Sequence, residues 1–318
     1  MFLGEYNSAV ETTNTLVEFL LEEIEALSPE GNPTYEELID RIRVLSRLIL
    51  NDSQTGPEKI ERLLKRLRAR PLIVPIPGGR IRIDFEFLRD LYTIVMGGWE
   101  IQNLTVMKQL LRPGGIVLDI GAHAGHFTIL AASTVGAGGM VYSFEPAPAN
   151  FKRLCENIRL NRFQAHVEAF PLAISDHPGV VEFYDDGGTA GTEYSMFPHR
   201  HGEHGIAFSV QAQSLDHFAE EYELFSVNFI KIDTEGAELA VLRGAENILR
   251  KNPGISLLIE LHPWIIPPEE VCSYLAQHRM RLYDIRRGLS LFSANEANAR
   301  FSEGGDILAT QAQVKVAT

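Results

Sequence analysis

Residues Val117–Phe127 read VLDIGAHAGHF. An apolar run breaks at an acid and passes into two glycines, with histidines at 123 and 126. Three readings are open: a cofactor loop, a metal site, or a tight turn in an α/β domain. Gly121 and Gly125 permit a sharp strand-to-helix turn and close approach of a ligand to the backbone. A dinucleotide loop would read GxGxxG and seat a diphosphate on a helix N-terminus. Here the pattern is DxGxxxG, and Asp119 ahead of the first glycine disfavours a diphosphate and suits a cationic amino group.

The flanking sequence sets this loop in an alternating pattern. IVLDI, MVYSFEP, HVEAFPLAI, VNFIKID and ISLLIELHP read as strands. FTILAAST, PANFKRLCENIRLN, LDHFAEEY, AELAVLRGAENILRK and PPEEVCSYLAQH read as helices between and after them. Such alternation predicts parallel βαβ units and a doubly wound, mostly parallel α/β sheet of seven strands. LYDI, LSLF and DILAT supply short strands at the tail. Residues 179–213 interrupt the alternation with VVEFY and AFSVQA, an inserted hairpin joined by a Gly- and His-rich stretch. Ahead of the sheet, LIVPIP and RIRIDFE flank a Pro-Gly-Gly turn, and helical segments run from Phe87 to about Gly97 and through WEIQNLTVMKQLL. Residues 1–70 differ in texture: three amphipathic segments, broken by SPEGNP and NDSQTGP, predict a helical extension acting as a cap or dimerisation element. The main domain then spans 71–318, and a homodimer is the expected assembly.

In doubly wound sheets ligands bind beyond the carboxyl ends of the strands, so the strand ends carry the functional reading. Asp119, Gly121 and Gly125 stand at the first. Glu145 ends the second and is placed to accept hydrogen bonds from ribose hydroxyls. Ser175 and Asp176 follow the third, where an adenine ring would lie. Asp233 ends the fourth, with Glu235 and Glu238 beyond it, and Glu260 and His262 end the fifth. A positively charged nucleoside without phosphates meets these demands, and S-adenosylmethionine is one.

VLDIGAHAGHFT, YSFEP, FIKIDTEGAELAVLRGA and LLIELHP resemble the signature segments of the FkbM-type S-adenosylmethionine-dependent methyltransferases, over about residues 80–290. His123 is a departure, since that family more often has a small polar residue such as Asn there. The resemblance implies a class I, Rossmann-like methyltransferase fold. It also implies methyl transfer to a hydroxyl oxygen, often on a sugar or natural product, and an acid beside the cofactor near Glu100.

Two chemistries remain open for Asp233, Glu260 and His262, whose strand ends adjoin. They bind a divalent metal such as Mg²⁺ that acidifies the acceptor hydroxyl, or one is a general base that the others orient. A third reading, in which acids favour a helix dipole, applies chiefly to Glu235 and Glu238. His199, His201 and His204 read as a solvated loop covering the acceptor, and Cys155 as packing.

Composition narrows the partners. A net charge of −13 on 318 residues argues against nucleic acid. No apolar run approaches the roughly 18 residues that span a bilayer. Two cysteines outside any CxxC, and no basic-then-apolar leader, suggest a cytoplasmic setting. A small-molecule or glycan acceptor is the expected partner. The rivals are an N- or carboxyl-methyltransferase, an NAD-dependent oxidoreductase, and a non-catalytic nucleoside-binding module.

Overall fold

A computed structural model describes residues 72–83, 100–185, 194–197 and 206–312. Apart from Leu72 and Ile83, these belong to one unit built of Ile73–Arg82 and Glu100–Thr318. The expected helices before residue 70, the segment from Phe87 to Gly97, and His199, His201 and His204 lie outside the described residues.

The chain runs β1 (Leu72–Ile76), β2 (Gly79–Ile83), α1 (Ile101–Leu110), β3 (Ile116–Ile120), α2 (His126–Val135), β4 (Met140–Phe144), α3 (Pro148–Leu160), β5 (Val167–Phe170) and β6 (Ala173–Ile174). The insertion contributes β7 (Gly179–Asp185), β8 (Tyr194–Ser195) and β9 (Ile206–Gln213). Then follow α4 (Leu215–Glu221), β10 (Phe229–Ile232), α5 (Glu238–Arg243), α6 (Glu246–Lys251), β11 (Ser256–Leu261), α7 (Pro268–Gln277), β12 (Arg281–Asp284), β13 (Ser290–Phe292), α8 (Ala297–Arg300) and β14 (Gly305–Thr310).

The central sheet has the order β13-β12-β14-β11-β10-β3-β4-β5. Strands β5, β4, β3, β10 and β11 are parallel, and β14 enters antiparallel between β11 and β12. Among the described residues the central sheet has eight strands rather than the expected seven, because LSLF adds a strand beside β12. Helices cover both faces. Val117, Val141, Leu258 and Leu308 pack with Leu104, Leu130 and Leu154 of α1–α3. Leu118, Phe144, Ile230 and Leu257 pack with Phe218, Leu242, Leu249 and Leu275 of α4–α7. This is the doubly wound α/β fold that strand–helix alternation demands. No helix among the described residues is long and apolar enough to cross a membrane.

Two segments divide where one element was expected. HVEAFPLAI breaks at Pro171: β5 stays in the central sheet, while β6 joins a second sheet of order β6-β9-β7-β8. Proline has no N–H for the ladder, so the strand cannot continue through it. AELAVLRGAENILRK breaks at Gly244, where a Cβ would lie 2.1 Å from the Ser175 carbonyl oxygen. The helix ends where its backbone meets that carbonyl.

The β1–β2 hairpin is tied to the domain by Asn157 of α3 and by Asn161, which caps the C-terminus of that helix. Asn161 Oδ1 accepts from Arg80 N–H at 2.8 Å, and Asn157 Oδ1 from Arg82 N–H at 2.7 Å. Asn157 also donates to the Ala124 carbonyl at 2.9 Å, so the hairpin is linked to the Gly121–Gly125 loop.

Phe218 centres an aromatic cluster, with ring centroids 4.8 Å from Phe144, 5.1 Å from Phe170, 5.4 Å from Tyr142 and 4.3 Å from Tyr222. Phe218→Ala empties this fully buried position and should lower unfolding free energy by about 3–5 kcal/mol. Urea denaturation checks this; a loss below about 1 kcal/mol would mean that the cluster does not hold α4 to the sheet.

Candidate active site

Register builds the site from three polar residues in apolar strands. Ser143, Asp119 and Lys231 stand side by side on β4, β3 and β10 and point to one face. All three are buried, Asp119 completely and Lys231 to 4 % exposure. Thr128 Oγ1 donates to Asp119 Oδ2 at 2.6 Å and lies 2.8 Å from Ser143 Oγ. Lys231 Nζ donates to the Gly121 carbonyl at 2.8 Å and to Asp233 Oδ2 at 3.0 Å, and lies 4.0 Å from Asp119 Oδ1. Its ammonium also sits 5.1 Å from the centre of the Phe127 ring. Burial opposes the lysine's charge, but Asp233, Asp119 and Glu100 overcome it and raise its pKa.

The loop between β3 and α2 is shaped by its backbone. Gly121 has φ +75°, and a Cβ there would fall 1.7 Å from the Asp233 carbonyl oxygen, so only glycine fits. Gly125 has φ +98° and precedes α2. Between them His123 has φ 49°, a left-handed conformation in which Asn, Asp and His are enriched among non-glycine residues. That conformation explains why an Asn position accepts histidine.

Glu145, just past β4, receives two backbone amides: His123 N–H at 2.7 Å on Oε2 and Ala147 N–H at 2.9 Å on Oε1. Burial raises its pKa to about 7, against the pull of those amides. Each oxygen retains acceptor capacity beyond one amide. Ser175 and Asp176 follow β6 in the second sheet. Ser175 Oγ donates to Asp176 Oδ1 at 3.2 Å, and Asp176 pairs with His177. Neither makes a hydrogen bond to the other expected cofactor residues.

On the acceptor side, Asp233, Glu260 and Glu100 converge: one carboxylate oxygen from each lies within 4.8 Å of the others. Asp306 joins them from β14, opposite Glu260 in the register. Four acids so close cannot all ionise. Asp233 is held below the usual carboxylate range: burial raises it, but Lys231 and then His262 lower it further. Glu260 is pushed well above that range, first by the Asp233 charge and then by burial. Burial and Asp233 raise Glu100 to about 8, and burial raises Asp306.

His262 meets Asp233 as expected, in a group with Glu235 whose ligand atoms lie within 4.8 Å of one another. Its Nδ1 lies 3.0 Å from Glu238 Oε1 and its Nε2 3.1 Å from Glu235 Oε2, whereas Glu260 Oε1 is 4.0 Å away. Burial disfavours its charge, but the bonds to Glu235 and Glu238 prevail and raise its pKa to about 12. His262 forms one possible metal-ligand group with Asp233 and Glu235, and Glu100 forms a second with Asp233 and Glu260. Glu238 Oε1 also accepts from Thr234 N–H and Oγ1–H and from Gly236 N–H, at 3.3, 3.1 and 2.9 Å. The DTEGAE turn is therefore wound around one buried carboxylate.

The model of the methyltransferase FkbM domain matches residues 119–287, more than half of the chain. The chain belongs to the FkbM methyltransferase family. With that membership comes S-adenosylmethionine-dependent methyl transfer, and the oxidoreductase alternative is set aside. Among curated FkbM relatives, the hexuronic acid methyltransferase AglP of Haloferax volcanii is 24 % identical over 66 % of this chain and 82 % of its own length. The 31-O-demethyl-FK506 methyltransferase FkbM of Streptomyces tacrolimicus is 29 % identical over 43 % of this chain and 62 % of its own. The 2-O-methyltransferase NoeI of Sinorhizobium fredii is 28 % identical over 46 % and 63 %.

Lys231 escaped the sequence reading, although a lysine inside the apolar run FIKI of a parallel strand was a signal for a buried charge with partners. The pairing of His262 had no such signal, since Glu235 and Glu238 meet it only through the turn.

The protonation of His262 has a thermal signature. Its folded pKa lies above the unfolded value, so its contribution is complete below about pH 6.5 and declines as pH rises toward about 12. His262→Gln should lower the melting temperature most at pH 6, with a gap to the parent that narrows by pH 9. A gap independent of pH would mean a neutral imidazole.

Proposed function

We propose that the chain methylates a hydroxyl oxygen of a sugar or natural-product acceptor, with Asp233 taking the hydroxyl proton. The observation that carries this reading is the charge division between Asp233 and Glu260 at adjoining strand ends, beside the cofactor loop. Lys231 keeps Asp233 ionised, whereas Glu260 holds its proton at neutral pH and remains able to donate a hydrogen bond. Two relatives, named a 31-O-demethyl-FK506 methyltransferase and a 2-O-methyltransferase, support transfer to oxygen.

The residues present fit the cofactor. Gly121 and Gly125 give the loop a left-handed turn packed against the Asp233 carbonyl and Leu154, and Glu145, steadied by two amides, has lone pairs left for the ribose hydroxyls. S-adenosylmethionine supplies, when bound, an electrophilic methyl group on a good leaving group. Asp119 is sealed below the loop and acts through Thr128 and Lys231. The acceptor hydroxyl loses its proton to Asp233 as its oxygen forms the new bond to carbon, so positioning and proton removal are the protein's tasks.

A metal-assisted variant is favoured by two groups whose ligand atoms lie within 4.8 Å of one another, Asp233 with Glu235 and His262, and Glu100 with Asp233 and Glu260. The second, an all-oxygen set, suits Mg²⁺, which would acidify the bound hydroxyl. Dialysis against EDTA decides between them: unchanged turnover supports the metal-free base, and loss restored by Mg²⁺ supports the metal.

Asp233→Asn should reduce methyl transfer at least about 100-fold while S-adenosylhomocysteine binding, followed by calorimetry, stays within a few-fold. Retained transfer would remove Asp233 from the proton path. For Glu145, hydroxyl donors favour the ionised carboxylate, so S-adenosylhomocysteine affinity should fall as pH drops through about 7. Glu145→Gln should abolish that dependence and weaken binding above pH 7.

A further inference from the structure

Trp264 packs on the His262 ring, and the proton transfer does not use it. It is 45 % exposed, yet held on two sides. Its indole meets the His262 ring edge-on, with centroids 5.4 Å apart and planes at 83°. That imidazole is itself fixed by Glu235 and Glu238. On another side the indole lies against Gly304, where a Cβ would come 3.4 Å from Cζ3 and Cη2. Gly304 directly precedes β14, whose Asp306 stands opposite Glu260. The backbone is closed by Ile265 and Ile266 N–H, which both donate to the His262 carbonyl at 3.0 and 3.1 Å. Ile265 fills the space over Gly236, where a Cβ would meet its Cδ1 at 2.5 Å. Packing accounts for a buried indole. It does not account for one that is braced by fixed neighbours and left nearly half in water. Other exposed apolar residues such as Val180, Phe225 and Leu291 are scattered and need no such account.

We infer that Trp264 is the platform on which a pyranose ring of the acceptor stacks, an inference that rests on the methyl-transfer reading above. One face of a pyranose presents C–H groups, which are attracted to the electron-rich face of an indole. Its hydroxyls are donors for carboxylates and acceptors for a protonated carboxyl. A braced indole against His262 and Gly304, two residues along the chain from Glu260 and Asp306 respectively, offers both contacts and turns one hydroxyl toward Asp233. A phenol or catechol would stack too, but its hydroxyls lie in the plane of the ring and engage fewer of the gathered acids.

The test uses the full chain with S-adenosylhomocysteine, and methyl glycosides of neutral hexoses and hexuronic acids as probes, with catechol as the flat competitor. A glycoside should change tryptophan emission saturably, and Trp264→Phe should remove most of that change. In transfer of labelled methyl groups from S-adenosylmethionine, Trp264→Ala should raise the glycoside KM about tenfold with kcat within about twofold. Trp264→Phe should recover most of that KM, which a merely structural role would not predict. An unchanged KM in Trp264→Ala, catechol as the sole methylated probe, or no glycoside that either binds or accepts methyl would overturn the platform. Saturable glycoside binding at Trp264 without S-adenosylhomocysteine binding would uphold the platform and overturn the methyl-transfer reading instead.

Discussion

A single buried ammonium holds the centre of this molecule together. Lys231 is surrounded by Asp119, Asp233 and the Gly121 carbonyl in the interior of a parallel sheet. An unpaired charge in that setting is costly, and so is a buried carboxylate whose cation is removed. The lysine answers both demands at once: it keeps Asp119 with a counter-ion below the loop and Asp233 charged above it. Because it also grips the Gly121 carbonyl, the cofactor turn and the acceptor acid cannot shift independently. The 1.7 Å clearance at Gly121 imposes the same restriction from the backbone side.

Around that fixed charge the other acids separate into roles. Like charges gathered in one place force protons onto some members, and the member nearest the lysine stays ionised. Asp233 is that member. Glu260, in Coulombic contact with it, bears the cost and keeps a proton. The opposite arrangement holds at His262, where two carboxylates enclose one imidazole and favour its charged form. Residues that look interchangeable along the chain thus carry different charges in the fold.

The extent of this that was legible in the sequence follows from the range of each interaction. Glycines at 121 and 125 announced themselves because a left-handed φ and a close backbone contact leave few other residues possible. The strand–helix alternation was legible because burial imposes a period. Glu145, Asp233 and Glu260 were found by asking what ends each strand. Lys231 was passed over because one polar letter in FIKI does not reveal the register that sets it beside Asp119. The imidazolium of His262 was invisible, since its partners lie 24 and 27 positions away and meet it only when a turn winds around Glu238. The division of HVEAFPLAI was present in Pro171 but yielded to the apolar run around it. Asp306 belonged to a tail strand whose place in the sheet no local pattern records.

That tail strand has a consequence for how the protein comes into being. β14 lies between β11 and β12, both of which precede it in the chain, and it brings Asp306 to the acids. During synthesis the cofactor loop, Lys231, Asp233 and Glu260 all leave the ribosome earlier. Until residue 310 follows, β11 lacks its antiparallel neighbour, and β12 and β13 have no central sheet to join. Placing β14 therefore completes the hydrophobic core, through Ile307 and Ala309, and sets Asp306 opposite Glu260 in one event.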